Sequence, residues 1–241
     1  MFLSAVWYNI QKLFRGIWLK MEWWGKALLC VAAYLIGSVN FAIIFSKLKG
    51  TDITKKGSGN PGTMNVLRSV GKVWGVLTFI CDCAKGVIFA VIGMYWIGSV
   101  DWLFILGIVT IVGHVFPIYS KFKGGKGVAT SIGVFIVAYP IVGSIVLVAL
   151  ILMLLFIKYG FIGSITCISA ITVYSCIVSR DNVAVIVCSL LIWLIVVVRH
   201  YSNIKRLIKG QENTLKLVGK NESKDLTAEE EKDPDDRPKE N

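Results

Sequence analysis

The chain has 241 residues, 55% of them hydrophobic, a mean hydropathy of +0.68 and a formal net charge of +11. Apolar residues at that level, gathered in long blocks, exclude a soluble globular domain and define an all-α, polytopic membrane protein. The positive charge does not point to nucleic acid, because no nucleic-acid module is present; in a chain of this hydropathy it points to phosphate groups and anionic lipid headgroups.

The first 26 residues mix Lys12, Arg15, Lys20 and Lys26 with Trp7, Phe14, Trp18, Trp23 and Trp24. Cations spread among aromatics predict an N-terminal interfacial amphipathic helix over 1–26. A secretion signal would place its charges ahead of the apolar run. Apolar runs then predict spans at Ala27–Leu48, Val73–Ile97, Trp102–Tyr119, Phe161–Val178 and Val183–Val198, each near the about 20 residues that cross a bilayer core. The run Val128–Ile157 is different, because as one helix at about 1.5 Å per residue it would reach about 45 Å. Pro140 removes a backbone donor and disfavours helix at Tyr139, so a bent hairpin of two helices around Pro140 is expected, for about seven transmembrane helices in all.

Charge supports that count. Lys47, Lys49, Lys55, Lys56, Arg68 and Lys72 follow the first span, Lys121, Lys123 and Lys126 the third, and Arg199, Lys205, Arg206 and Lys209 the last. Basic loops face the cytoplasm, which leaves Gly98–Asp101 and Arg180–Asn182 as outer turns and returns Lys158 to the inner side. The N-terminal cations oppose this orientation, and the six bases of the first loop outweigh them. The membrane domain is expected over 27–212. The remainder, 213–241, includes nine acids against four bases in Glu222–Glu240 and is expected to be a disordered, charged tail. All six cysteines fall in apolar segments without metal-ligand spacing, so they are expected to be small buried hydrophobes, with no metal and no cofactor.

Chemistry concentrates in the loops. Gly57–Arg68, GSGNPGTMNVLR, matches the dinucleotide pattern G-x-G-x-x-G, with Asp82 at the distance of a ribose-binding acid. That reading fails, because membrane spans flank the loop where a strand and a βαβ unit are required. The local physics remains: glycines let backbone approach an anion, with donors from Ser58, Gly59, Asn60, Asn65 and Arg68. A tight turn with a headgroup anchor would use the same residues. Phe122–Thr130, FKGGKGVAT, sets Gly124, Gly125 and Lys126 between two apolar runs, suited to a phosphate held beside an acyl tail. Beyond the last span, His200 and Asn203 share a helix face. His114 in GHVFP is expected to be structural, and Asp82 with Lys85, three apart inside a span, to neutralise each other and hold helices together.

Six segments then coincide in order and spacing with a family. GSVNF (Gly37–Phe41), GSGNPGTMNVLR, DCAKG (Asp82–Gly86), GHVFP with FKGGKGVAT, Gly163-Ser164, and RHYSNIKRLIKG (Arg199–Gly210) resemble the bacterial integral-membrane glycerol-3-phosphate acyltransferases that use acyl phosphate. The resemblance covers about Ala33–Glu212 and implies a seven-helix fold in the cell membrane, with its motifs on the cytoplasmic side. It implies transfer of an acyl group from acyl phosphate to the 1-hydroxyl of glycerol 3-phosphate, giving lysophosphatidate and phosphate, the first acylation of phospholipid synthesis. It places phosphate binding on Ser58, Arg68 and Lys126 and substrate contacts on Ser164, His200 and Asn203, with Lys126, His200 and Asn203 as the catalytic group. An upstream enzyme that makes acyl phosphate is the implied functional neighbour, and membrane lipids surround the site. Asn40 stands where proline is common, Thr63-Met64 replaces an alanine–threonine pair, and Phe161-Ile162 replaces a more polar segment.

Acyl phosphate is an activated mixed anhydride and no Ser/His/Asp arrangement is present, so direct attack by the glycerol hydroxyl without an acyl-enzyme is expected. The proton acceptor is a substrate phosphate or His200. The rival class is a transporter or channel for phosphate esters; it would share the cationic loops and the interruption at Pro140, but the halves show no internal repeat.

Overall fold

The computed structural model describes residues 23–212 and 214. Among them every regular element is helical: α1 Trp23–Gly37, α2 Phe41–Leu48, α3 Thr63–Ser69, α4 Lys72–Val91 with a π-helical turn Ile92–Trp96, α5 Val100–Val115, a 3₁₀ turn Ile118–Ser120, α6 Val128–Ala138, α7 Pro140–Phe156, α8 Gly160–Val178, α9 Val183–Arg199 and α10 Tyr201–Ile208. Among the described residues four segments are long and apolar enough to cross a membrane (Trp23–Leu48, Lys72–Trp96, Val100–Ser120, Gly160–Val178), and a fifth if α9 and α10 count as one bent span. The expected tail and nearly all of the expected N-terminal helix lie outside the described residues; Trp23–Lys26 form the first turn of α1.

The thirty-residue run breaks where proline requires. Tyr139 leaves helical geometry at φ −137°, ψ 77°, and Pro140 opens α7 at a position where its missing N–H costs nothing. The two arms are unequal. At about 1.5 Å per residue the eleven residues of α6 rise only about 16 Å, roughly half of a hydrocarbon core of about 30 Å. The expected count of seven therefore describes segments, with α6 too short to be a full span. It is short because its N-terminus starts inside the protein, where Gly124, Gly125 and Gly127 are buried. Non-helical backbone at that depth is tolerated only when protein covers it.

Helices approach closely through small residues. A Cβ on Gly86 would strike the Thr130 carbonyl and one on Gly133 the Cys83 carbonyl, which locks α4 to α6. Gly37 and Gly113 do the same for α1 and α5. In lipid, where apolar burial gives little drive, such contact is what holds helices together. The main core lies under α5 to α9, with Phe104, Ile111, Phe135, Leu150, Ile168 and Ile192 buried.

The two ends of the bundle differ as the charges predict. At one end Asn182 caps α9 by accepting from Val185 N (3.2 Å) and donates to Asp101 Oδ1 (2.7 Å), which ties the two expected outer turns to each other. Tyr139 Oη lies 2.9 Å from both Ser175 Oγ and Ser179 Oγ, so the hairpin bend reaches the C-terminal end of α8. The cationic loops gather elsewhere. The first expected span is also interrupted, at Ser38–Asn40, where Asn40 caps α2 by accepting from Ile43 N (3.1 Å).

Candidate functional site

One cavity draws its walls from parts of the chain far apart in sequence. Ser58, Asn60, Asn65 and Arg68 come from the first loop and α3, Lys126 and Gly127 from the glycine-rich loop, and His200, Asn203 and Glu212 from the C-terminal segment. Phe79, Val128, Leu150, Leu154 and Phe161 supply an apolar side. A chamber polar on one side and greasy on the other matches a phosphate ester joined to an acyl chain.

The first loop organises itself. Gly57 and Gly59 take positive φ (58° and 68°), and the turn they make is held by one buried amide. Asn65 Oδ1 accepts from Ser58 N (3.1 Å), while its Nδ2 donates to Ile53 O (3.1 Å) and Lys56 O (2.9 Å). With its amide committed on both sides, Asn65 positions the loop, although the sequence counts it among the donors to substrate. Ser58 Oγ accepts weakly from Asn60 N (3.4 Å) and keeps its own proton to donate. Gly59 is a turn residue outside the cavity lining.

The glycine-rich loop is clamped from two sides. Gly125 N donates to His114 O (3.1 Å), and Arg199 donates through Nε to Gly125 O (3.3 Å) and through Nη2 to Gly124 O (3.1 Å). A Cβ on Gly125 would strike the His114 ring, and one on Gly124 the His114 carbonyl. Neither glycine, both expected to bind substrate, lines the cavity; they pack against His114 beside Lys126, and Gly125 N is already bonded. Gly127, at φ +85°, turns the chain into α6.

Lys126 Nζ donates to Asn203 Oδ1, and Asn203 Nδ2 donates in turn to Glu212 Oε1 (2.5 Å). Burial pushes the Lys126 ammonium down to about 7; Glu212 opposes the shift, and Arg206, Arg68 and Arg199 add to it. His200, just past the end of α9, is only 2% exposed, with Phe161 stacked on its ring. Its Nδ1 lies 2.8 Å from Val196 O. A carbonyl can only accept, so Nδ1 carries the proton and Nε2 keeps its lone pair. Burial first, then the Lys126 charge, lower its pKa to about 4.

Ser164 is not drawn into the cavity lining. Its Oγ donates to Gly160 O (3.2 Å), one turn back on its own helix. Met64, at the departure from the family pattern, does line the chamber. Sequence reasoning missed Glu212, whose side chain is 4% exposed and whose Oε2 accepts from Arg206 Nε at 2.8 Å. Its one sequence signal is an acid directly after a basic helix. Asp82 and His114, read as structural, also form part of the cavity wall.

Helices, apolar lining and converged cations define an integral membrane protein with an amphipathic, anion-attracting chamber. The family profile described as glycerol-3-phosphate acyltransferase matches residues 27–210. Curated relatives of that name are similar along most of the chain: one from Aquifex aeolicus is 38% identical over 190 residues (78% of this chain, 98% of the relative), and one from Thermoanaerobacter sp. is 39% identical over 189 (78% and 94%). A crystal structure of an integral membrane glycerol 3-phosphate acyltransferase, in its glycerol 3-phosphate form, is 36% identical and superposes with a TM-score of 0.73 over 79% of this chain and 95% of its own. Its lysophosphatidic acid form gives 0.70. The chain belongs to the glycerol-3-phosphate acyltransferase family.

Proposed function

We propose that the protein acylates the 1-hydroxyl of glycerol 3-phosphate with acyl phosphate as donor, releasing lysophosphatidate and inorganic phosphate, and that its site faces the cytoplasm of the bacterial cell. The observation that carries this is the convergence of Ser58, Arg68, Lys126, His200 and Asn203 on one chamber with an apolar wall. Donor and acceptor both carry phosphate, and the acyl chain needs the apolar side. Orientation follows from the basic loops, which the positive-inside rule places in the cytoplasm.

The 1-oxygen attacks the carbonyl carbon of the mixed anhydride, the acyl carbon–oxygen bond to phosphate breaks, and the hydroxyl proton leaves on phosphate. Lys126 holds the acceptor phosphate, while Arg68 neutralises the departing charge with Ser58 donating beside it. Juxtaposition of two bound esters supplies the rest, and no acyl-enzyme forms. His200 is a weak base at a pKa of about 4. Its Nε2 lone pair suits an orienting hydrogen bond from a substrate hydroxyl, which leaves proton transfer to the phosphate.

The test is purified protein in detergent, supplied with glycerol 3-phosphate and, in parallel, acyl phosphate, acyl thioester and acyl-carrier donors. Lysophosphatidate and phosphate are expected only with acyl phosphate. Faster turnover of a thioester would overturn the donor assignment, and movement of glycerol 3-phosphate into sealed vesicles without a donor would favour transport.

A further inference from the structure

At the cavity wall lies a charged cluster that acyl transfer does not by itself require. Asp82 and Lys85 on α4 and His114 on α5 are exposed by 2%, 2% and 5%. Lys85 Nζ lies 2.9 Å from Asp82 Oδ1 and 2.9 Å from His114 Nδ1, and donates to Gly37 O (3.0 Å) and Val39 O (3.1 Å). Those carbonyls belong to the break between α1 and α2, where helix geometry leaves them without their usual partners. Four acceptors surround three ammonium protons, so Lys85 has none left for a ligand. Asp82 Oδ1 also lies 3.4 Å from His114 Nδ1.

A buried ion pair is a poor way merely to join helices, because removing two charges from water costs several kcal/mol per ion, and apolar residues of similar size serve as well. His114 indicates what else the cluster does. Its ring packs directly beneath Gly125 and its carbonyl accepts the Gly125 N–H at 3.1 Å. Lys126 is the next residue. The cluster therefore fixes one ring, that ring is the seat of the loop, and the loop carries the ammonium that enters the cavity.

We propose that Asp82, Lys85 and His114 are positioning residues for the acceptor phosphate: anchored on the carbonyls of the α1–α2 break, they seat the 124–127 loop and so set where Lys126 meets the substrate. This rests on Lys126 being a phosphate ligand. It assigns the DCAKG and GHVFP segments a place in substrate recognition, and through Lys85 it links the break in the first membrane segment to the site.

The test is a double-mutant cycle on the full chain in detergent, read as the dissociation constant of glycerol 3-phosphate alone, so that the identity of the acyl donor does not enter. Asp82→Asn, nearly isosteric, and His114→Gln are each combined with Lys126→Ala. Each single variant should weaken glycerol 3-phosphate binding about tenfold and add less than about twofold once Lys126 is absent, the non-additivity expected of residues that act through one group. In turnover, KM for glycerol 3-phosphate should rise while kcat stays within about threefold. Full additivity with Lys126→Ala would overturn the proposal in favour of direct substrate contact, and unchanged binding in folded single variants would overturn it outright. If Lys126→Ala itself bound normally, the site reading would fail first. Should His114→Gln not fold, the Asp82→Asn arm decides, with the paired change Asp82→Asn, Lys85→Met as a second variant that leaves no charge unpaired.

Discussion

Two glycine-rich loops border the chamber and look alike in sequence, yet they are built by opposite means. Gly57–Gly62 is held by a residue of its own neighbourhood: Asn65 reaches back to Ser58, Lys56 and Ile53, none more than twelve positions away. Gly124–Gly127 is held by residues from other helices, His114 below and Arg199 above. The first loop is a local turn with glycine where φ is positive. The second is a tertiary fit with glycine where any side chain would collide. Gly57 and Gly59 take positive φ in the first loop, and Gly124 and Gly125 leave space for His114 in the second.

The largest expected effect tests that contrast in the second loop. Gly125→Ala places a methyl against the His114 ring and should lower kcat/KM by about 1,000-fold, ~4 kcal/mol of transition-state stabilisation. Steady-state kinetics on folded protein checks it, and near-normal turnover would show the loop free to shift. In the first loop, Asn65→Ala leaves Ser58 N and two carbonyls without partners. At about 1–3 kcal/mol for a stranded buried group, a fall of about 10- to 100-fold is expected, with loss of thermal stability.

Titration sharpens the comparison, because the second loop alone carries a buried cation. In the free enzyme Lys126 is charged below about pH 7 and neutral above it, its proton disfavoured by burial and by Arg206, Arg68 and Arg199, and favoured by Glu212. On the alkaline side, kcat/KM for glycerol 3-phosphate should therefore fall with pH, with an apparent pKa near 7. Lys126→Arg should remove that limb, since guanidinium stays charged. His200 contributes no limb near neutrality, being uncharged above about pH 4. The smallest effect is Gly59→Ala, where φ is +68° and the nearest atom to an added Cβ is Thr54 O at 3.1 Å. A left-handed non-glycine costs about 1–2 kcal/mol of folding stability; with the loop still held by Asn65 only part of that reaches the site, and steady-state kinetics should show a change of about tenfold or less in kcat/KM.

Much of the architecture was legible because its causes are local in the chain. Apolar run length set the spans, Pro140 set the hairpin, and the basic loops grouped the site at one end. The short α6 was not legible, since a run of apolar residues does not reveal that its first turn starts inside the protein. Ser58, Arg68, Lys126, His200 and Asn203 were found by residue type and spacing, and they do share a cavity. Ser164 entered only through the family resemblance, and its hydroxyl is spent on its own helix. Gly125 and Asn65 were expected to serve substrate, and in the structure Gly125 N and the Asn65 amide are already bonded to protein.

What the sequence determined by itself is a membrane-embedded helical bundle with its phosphate chemistry collected at one face, because hydropathy, proline and charge act over a turn or a span. Tertiary structure alone decided which donors stay free. Each N–H satisfies one good acceptor at a time, and whether Gly125 or Asn65 has already given its protons to His114, Ile53 and Lys56 depends on neighbours that chain order does not reveal.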